Sequence, residues 1–414
     1  MNPEQQEPTR PAIHWVSVGQ FSLSLLAVIS LWCLAGLAAL FGLFALFSTS
    51  FLASEVTSLL IYAAGLGFIG SLLVPSAYFA FLRLRGQHGS WPEFIRKPWF
   101  KPGLLILLFP IVLIAGSIVG QIVNVSWLLL PPLHILAILV PIWWLFYLGS
   151  RQLPMGSPQR ASGVLGSGLV LSPLLAGMLQ MFILAGVVVM AMFYLSTRPD
   201  LSEEINNLIT RLSILERYAD PTEAPEMVLE VMRPYVQGPV VVYGALIFVA
   251  ILVPMIEEMV KPIGILFLAG SALSPAAGFV AGMLSGAGFA LLESMLYSNA
   301  EAWSTVVAGR ALSAVVHIMT TGLVGYALAV AWRKRSWLQL GFAYLLAVLI
   351  HGLWNGFALL NFSYSFIIEM PEIPSIISTL ALISPLVIGF LALEMFVYLL
   401  WSNYRLRKFG KTPQ

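Results

Sequence analysis

The sequence predicts an all-α protein, a polytopic transmembrane bundle of about ten helices. Three observations carry that expectation. Of the 414 residues, 59% are hydrophobic and only 10% charged, against about 25% charged in an ordinary soluble domain. The mean hydropathy is +0.90. Apolar runs of the roughly 20 residues needed to cross a bilayer recur along the chain. They fall at 18–47, 56–82, 103–124, 128–150, 163–195, 239–258, 275–297, 309–331, 338–360 and 375–401. Runs longer than about 25 residues imply tilt or extension beyond the hydrocarbon.

Charge and cysteine content exclude several classes. The net charge is +2, and no basic run is dense enough to follow a phosphate backbone, which excludes nucleic acid as a partner. Cys33 is the single cysteine, so an intrachain disulfide and a cysteine metal cluster are excluded. In the first apolar run it reads as an inert, buried thiol. That run is too long for the apolar part of a cleavable signal peptide and reads as a retained span.

Basic residues alternate along the connections, as the positive-inside rule requires. With the N-terminus inside, the cytoplasmic segments hold Arg83, Arg85, Arg96, Lys97 and Lys101, then Arg151 and Arg160, then Arg333, Lys334 and Arg335, then Arg405, Arg407, Lys408 and Lys411. The opposite connections are acidic or neutral, as at 361–374 with Glu369 and Glu372. Both termini are therefore expected in the cytoplasm, in a pattern that fits a bacterial plasma membrane. The longest connection, about 196–238, faces outside, is acidic and shows helical periodicity from Leu201 to Tyr218. It divides the chain into an accessory region (1–195), an acidic loop (196–238), a polar-bearing bundle (239–401) and a basic tail (402–414).

Charged residues at membrane depth cost about 2.5–3.5 kcal/mol each on insertion scales and mark function by default. The sixth span carries Glu257-Glu258-Met259-Val260-Lys261 between Pro254 and Pro262. Glu257 and Lys261 are four apart, so they share a face and can pair, with Glu258 pointing about 100° away. Adjacent carboxylates near lipid resist being ionised together, which suits one of them to general acid–base work. A proline inside a helix frees a carbonyl about four residues earlier, and broken helices at membrane depth line wet cavities. The seventh span carries Phe289 and Glu293 behind a stripe of Gly278, Gly282 and Gly286 that admits close helix packing. The eighth carries Arg310 and His317, seven apart on a similar face. The ninth carries His351 and Asn355, four apart. The chemistry this permits is water activation. A glutamate helped by a histidine takes the proton while a second histidine or Asn355 stabilises an oxyanion. Alternatively, a divalent metal such as zinc is held by Glu258, Glu293, His317 and His351. The HExxH pair that would favour zinc is absent.

These residues in this order, EExxK at Glu257–Lys261, FxxxE at Phe289–Glu293, then His317, then His351 with Asn355, resemble the PrsW-type intramembrane proteases, which are similar to the CAAX prenyl endopeptidases and related bacterial membrane proteases. The resemblance spans roughly 239–360. It implies hydrolysis of peptide bonds in membrane-anchored protein substrates at the bilayer. It makes Glu257 and Glu258 catalytic, one as general base, with His317 and His351 activating water or binding metal. Glu293 completes the polar site, Asn355 donates to an oxyanion or orients a neighbour, and Lys261 supports the glutamates. Glu293 stands where the CAAX-type motif has histidine. Diaspartyl chemistry is excluded, because Asp200 and Asp220 are the only aspartates and lie in the polar loop. Ser285 lacks the GxSG spacing of rhomboid-type serine proteases. The competing readings are an ion- or proton-coupled transporter, which predicts a repeat symmetry not seen in the sequence, and a non-catalytic scaffold. Glu394, in the tenth span, reads as a residue snorkelling to the cytoplasmic face.

Overall fold

The structure is a computed structural model that describes residues 14–48, 51–91, 93, 101–218, 224–236, 238–269, 273–297, 300, 302–364 and 374–409. Arg96, Lys97, Asp220, Glu369, Glu372 and Lys411, which enter the orientation and loop readings, lie outside the described residues. Every regular element among the described residues is helical. In chain order these are α1 (Trp15–Ala45), α2 (Ala53–Leu84), a 3-10 turn (Pro102–Leu107) leading into α3 (Leu108–Gly120), α4 (Val123–Ser150), and α5 (Pro158–Gly166). A π turn (Ser167–Leu171) joins α5 to α6 (Ser172–Ser196). Then come α7 (Pro199–Tyr218), α8 (Ala224–Val236), α9 (Pro239–Ile247), a second π turn (Phe248–Leu252), α10 (Val253–Val260), α11 (Ile263–Leu266), α12 (Pro275–Met295), α13 (Trp303–Lys334), α14 (Trp337–Phe362) and α15 (Ser375–Phe409).

Among the described residues, ten helical segments are long and apolar enough to cross a membrane. They match the ten expected spans one for one, and the chain is a multi-pass helical membrane protein. The largest differences lie at the fifth, sixth, eighth and tenth spans. The fifth begins at Pro158, the sixth runs Val241–Leu266 through two breaks, the eighth begins at Trp303, and the tenth continues to Lys408.

The chain forms two compact units. The first comprises Met1–Pro173, Glu258–Ala347 and Ala392–Gln414. Its centre is the antiparallel pair α12 and α13, whose apolar windows are 78% and 89% buried, whereas α1 is 11% buried at the periphery. That position corrects the expectation for Cys33, which is exposed. α1 is apolar all round, so its sequence does not say which side faces the bundle.

The glycine stripe brings α12 and α13 together. A Cβ on Gly278 would stand 2.5 Å from the Gly325 carbonyl, one on Gly282 would strike the Thr321 carbonyl, and one on Gly286 the His317 carbonyl. Only glycine allows backbones this close. The π turn at 167–171 sets Gly168 against the Ser285 backbone on the other side of α12.

The second unit comprises Leu174–Glu257 and Val348–Leu391. Leu360, Ile377 and Ala381 form a core there with Val242, Leu246 and Phe357 around it. α7 packs against α8, and Leu201, Ile205, Leu208, Leu212 and Leu215 of α7 are half-buried. The helical periodicity read from Leu201 to Tyr218 is thus a real helix. It starts at a bidentate pair, with Arg198 Nη2 2.8 Å and Nε 3.1 Å from the Asp200 carboxylate. The Arg198 guanidinium holds the Asp200 carboxyl below the usual carboxylate range.

Candidate active site

In the first unit the site is built around Lys261. α10 ends at Val260 and α11 begins at Ile263. Pro262 explains the break, because it has no N–H and disfavours helical geometry in the residue before it. The Lys261 carbonyl accepts from Ser285 Oγ at 2.5 Å and Ser172 Oγ at 3.4 Å. Its ammonium donates to Glu258 Oε1 at 2.6 Å and to His317 Nδ1 at 2.9 Å, and lies 4.6 Å from the centre of the Phe289 ring. Lys261 and Glu258 are both 0% exposed, so this is a fully desolvated ion pair. Such a pair resists loss of either partner, because the other would be left charged in apolar surroundings.

The pairing corrects one expectation. The i,i+4 reading joins Lys261 to Glu257, whereas the 2.6 Å contact is with Glu258, three residues away. Lys261 lies past the last helical residue, so helical spacing does not extend to it.

His317 carries the array onward. An ammonium has only donors, so Nδ1 of His317 accepts from it and the ring proton is assigned to Nε2. That atom stands 3.1 Å from Glu293 Oε2, and the same carboxylate oxygen meets Arg310 Nη2 at 2.7 Å; both are close ion-pair contacts at bent angles rather than aligned hydrogen bonds. Arg310 Nε donates to Ser294 Oγ at 3.2 Å, and its guanidinium lies 5.6 Å from the Tyr297 ring centre. Glu258, Lys261, His317, Glu293 and Arg310 thus form one continuous array of close polar contacts, hydrogen-bonded from Glu258 to His317 and ion-paired from His317 to Arg310.

In the second unit, Glu257 Oε2 and His351 Nε2 are 3.7 Å apart, and Gln180 Nε2 donates to Glu257 Oε1 at 3.4 Å. Both Glu257 and His351 are buried. The separation exceeds a hydrogen bond. It is close to the distance of about 3.3–3.5 Å between two ligand atoms on a tetrahedral zinc ion with bonds near 2.0–2.2 Å. A carboxylate and an imidazole are suitable donors, so this pair fits a divalent metal.

Asn355 shares a helix with His351, but its Nδ2 donates to the Val249 carbonyl at 3.3 Å. In the π turn, Val253 N–H bonds to Phe248, so the next donor in that pattern would be residue 254, a proline with no N–H. Asn355 replaces the missing donor. Gly352, one turn earlier, lies so close to the Ala250 carbonyl that a Cβ would clash.

The sequence reading named Glu258, Lys261, Glu293 and His317, which the first unit brings together, and Glu257, His351 and Asn355, which belong to the second. It gave Arg310 only an unnamed acidic partner near the outer end of its helix, which is Glu293, and overlooked Gln180, Ser172 and the capping role of Ser285. The available signals were Arg310 seven residues from His317 on one face, and a lone glutamine inside an otherwise apolar span. Glu394 is exposed and takes no part in either group.

No curated protein and no solved structure matches the chain. Residues 226–393, the stretch that carries Glu257, Glu258, Lys261, Glu293, Arg310, His317, His351 and Asn355, match the family model of the PrsW family intramembrane metalloproteases.

Proposed function

We propose that this protein is a membrane-embedded endopeptidase that hydrolyses peptide bonds of membrane-anchored proteins. The observation that carries this reading is the buried array Glu258–Lys261–His317–Glu293 within apolar spans. Ionisable groups held at membrane depth are costly, and are retained for work done there. The match of residues 226–393 to a family of intramembrane metalloproteases supports the same reading.

The catalytic set is Glu257, Glu258, Glu293, His317, His351 and Asn355, with Lys261 supporting it. Lys261 holds Glu258 by one oxygen and keeps it ionised away from solvent, so that it would act as general base on a water admitted to the site with the substrate. His317, neutral and protonated on Nε2, gives or takes a proton between Lys261 and Glu293. Asn355 keeps the broken helix before Glu257 in shape, an orienting role rather than direct oxyanion donation. Where a divalent metal such as zinc is bound, Glu257 and His351 would hold it. The ion supplies the Lewis acidity that makes water nucleophilic near neutral pH. The choice between glutamic and metal-assisted hydrolysis follows from chelator sensitivity.

In this reading residues 239–401 are the catalytic bundle, 1–195 accessory, 196–238 an extracytoplasmic connector and 402–414 a basic tail. The protein sits in a bacterial plasma membrane with both termini cytoplasmic, and its kinship extends to the CAAX prenyl endopeptidases. The test is cleavage of a panel of single-span substrates by purified, reconstituted protein, with Glu258→Gln and His351→Ala alongside. Cleavage lost in both variants supports the site. Equal cleavage by all three proteins removes it.

A further inference from the structure

The array does not stop at the residues assigned to catalysis. Arg310 lies in α13, inside the described membrane-spanning helix, where a guanidinium is costly unless it has a task. It is partly buried, with 15% of its side chain exposed against 35% for Glu293. Its place follows from the glycine seam. Gly286 sits opposite His317. Because α12 and α13 are antiparallel, moving seven residues forward from Gly286 and seven back from His317 reaches Glu293 and Arg310, which meet at 2.7 Å. Seven residues are close to two helical turns, about 10 Å of rise. Arg310 therefore cannot touch the His317 ring directly, but the Glu293 side chain spans the gap and contacts both.

We propose that Arg310 is a positioning residue of this site. It holds the Glu293 carboxylate against His317 Nε2, the ring atom whose proton is fixed by the donation of Lys261 to Nδ1, and thereby keeps the ring in one orientation. This rests on the proposed protease activity for its catalytic consequence, but not for the orientation of the ring. The reasoning is one of donors and acceptors. Lys261 can only donate to Nδ1, so the Nε2 proton needs an acceptor on the opposite side. Glu293 is that acceptor only while a cation balances it away from water. Ser294 Oγ and the Tyr297 ring hold the guanidinium in turn, so its aim is set by neighbours on α12 and just beyond its end. With Arg310 gone, Glu293 has His317 as its remaining close partner and is free to turn toward its exposed side. The ring then loses the constraint on Nε2.

The experiment uses the full-length chain in bilayers or detergent, metal-free, with 15N-labelled histidine, and the His317 signals assigned from a His317→Gln sample. Wild type is expected to show one tautomer, protonated on Nε2. Arg310→Met is expected to shift and broaden the His317 Nε2–H signal as the carboxylate loses its fixed place, and Arg310→Lys, which restores the charge without the fork, to show a partial return. An unchanged His317 spectrum in folded Arg310→Met overturns the proposal. If Arg310→Met does not fold, Arg310→Lys carries the same test, and a spectrum identical to wild type overturns it.

With a substrate that wild type cleaves, Arg310→Met should lower kcat about 10- to 100-fold, as removal of an orienting partner does, with KM little changed. Arg310→Lys should recover part of that loss. Loss in KM alone, or loss that tracks the unfolded fraction, overturns the catalytic consequence. If wild type cleaves nothing, it is the protease reading that fails, while the histidine spectra still decide whether Arg310 positions the ring.

Discussion

Glu293 and Arg310 face each other at 2.7 Å across α12 and α13, two helical turns beyond the point where Gly286 lies against the His317 carbonyl. The ion pair and the glycine contact belong to one seam, so the packing of small residues sets which charged residues meet. A side chain at position 286 must push the helices apart, and the displacement passes to Glu293, His317 and Arg310 together.

Gly286→Val should therefore destabilise the protein by about 1–3 kcal/mol or more, as overpacking does, and abolish activity. Gly309→Ala is the control. It lies beside Arg310 on α13, with nothing within 4 Å of the added methyl. It should be neutral or slightly stabilising, by at most about 1 kcal/mol, since alanine favours helix over glycine. Thermal unfolding in detergent, with cleavage measured on the same samples, checks both. Equal behaviour of the two variants would contradict the seam argument.

The Glu258–Lys261 pair makes a second prediction. Both side chains are sealed from solvent, so removing one leaves the other charged in an apolar interior. Lys261→Met should cost about 3–5 kcal/mol. Glu258→Gln with Lys261→Met should cost less than Lys261→Met alone, because no lone charge remains. Both variants should be inactive, so the decisive quantity is the coupling in unfolding free energy from a double-mutant cycle. Additive costs would show that the pair is not energetically linked.

Much of this architecture is legible in the chain, and the parts that are not share a cause. Span positions follow from apolar length alone, which is why ten segments could be placed. The stripe Gly278–Gly282–Gly286 identifies a packing face, yet not the residue opposite each glycine, so the meeting of Glu293 with Arg310 was not foreseeable. Lys261 was assigned to Glu257 because helical spacing was carried one residue past its end, where Pro262 had already stopped the helix. Asn355 looked like a donor to substrate because its true acceptor, Val249, is a backbone carbonyl and leaves no mark in the side-chain pattern. Cys33 could not be oriented because its helix has no polar face.

The Asn355–Val249 bond makes a third prediction, through Pro254. Asn355→Leu leaves a half-buried carbonyl at membrane depth without its donor, at a cost of about 1–3 kcal/mol. Pro254→Ala returns an N–H to the chain at the position where the helix lacks one. In the Pro254→Ala background the loss from Asn355→Leu should shrink to under about 1 kcal/mol, because the backbone can then satisfy itself. Unfolding of the four proteins in the cycle measures this. An undiminished loss would mean that Asn355 works through some contact other than the Val249 carbonyl.

The last prediction concerns Glu257 and His351. Their 3.7 Å separation suits two ligands of one ion better than a direct hydrogen bond, and Gln180 holds the other oxygen of Glu257. An amide that orients a ligating carboxylate typically matters by about 10- to 100-fold in metal affinity. Zinc titration of purified, metal-stripped protein should therefore rank wild type above Gln180→Leu, and Gln180→Leu above Glu257→Gln and His351→Ala. The order follows from chemistry. Gln180→Leu keeps both ligands and loses only the orientation of one, whereas the other two changes each delete a donor. Chelation should stop cleavage, and added zinc should restore it in wild type. Zinc affinity unchanged in both Glu257→Gln and His351→Ala would remove these residues from any metal set. If chelator-resistant cleavage accompanied that result, the water would have to be activated by the carboxylates and His317 alone.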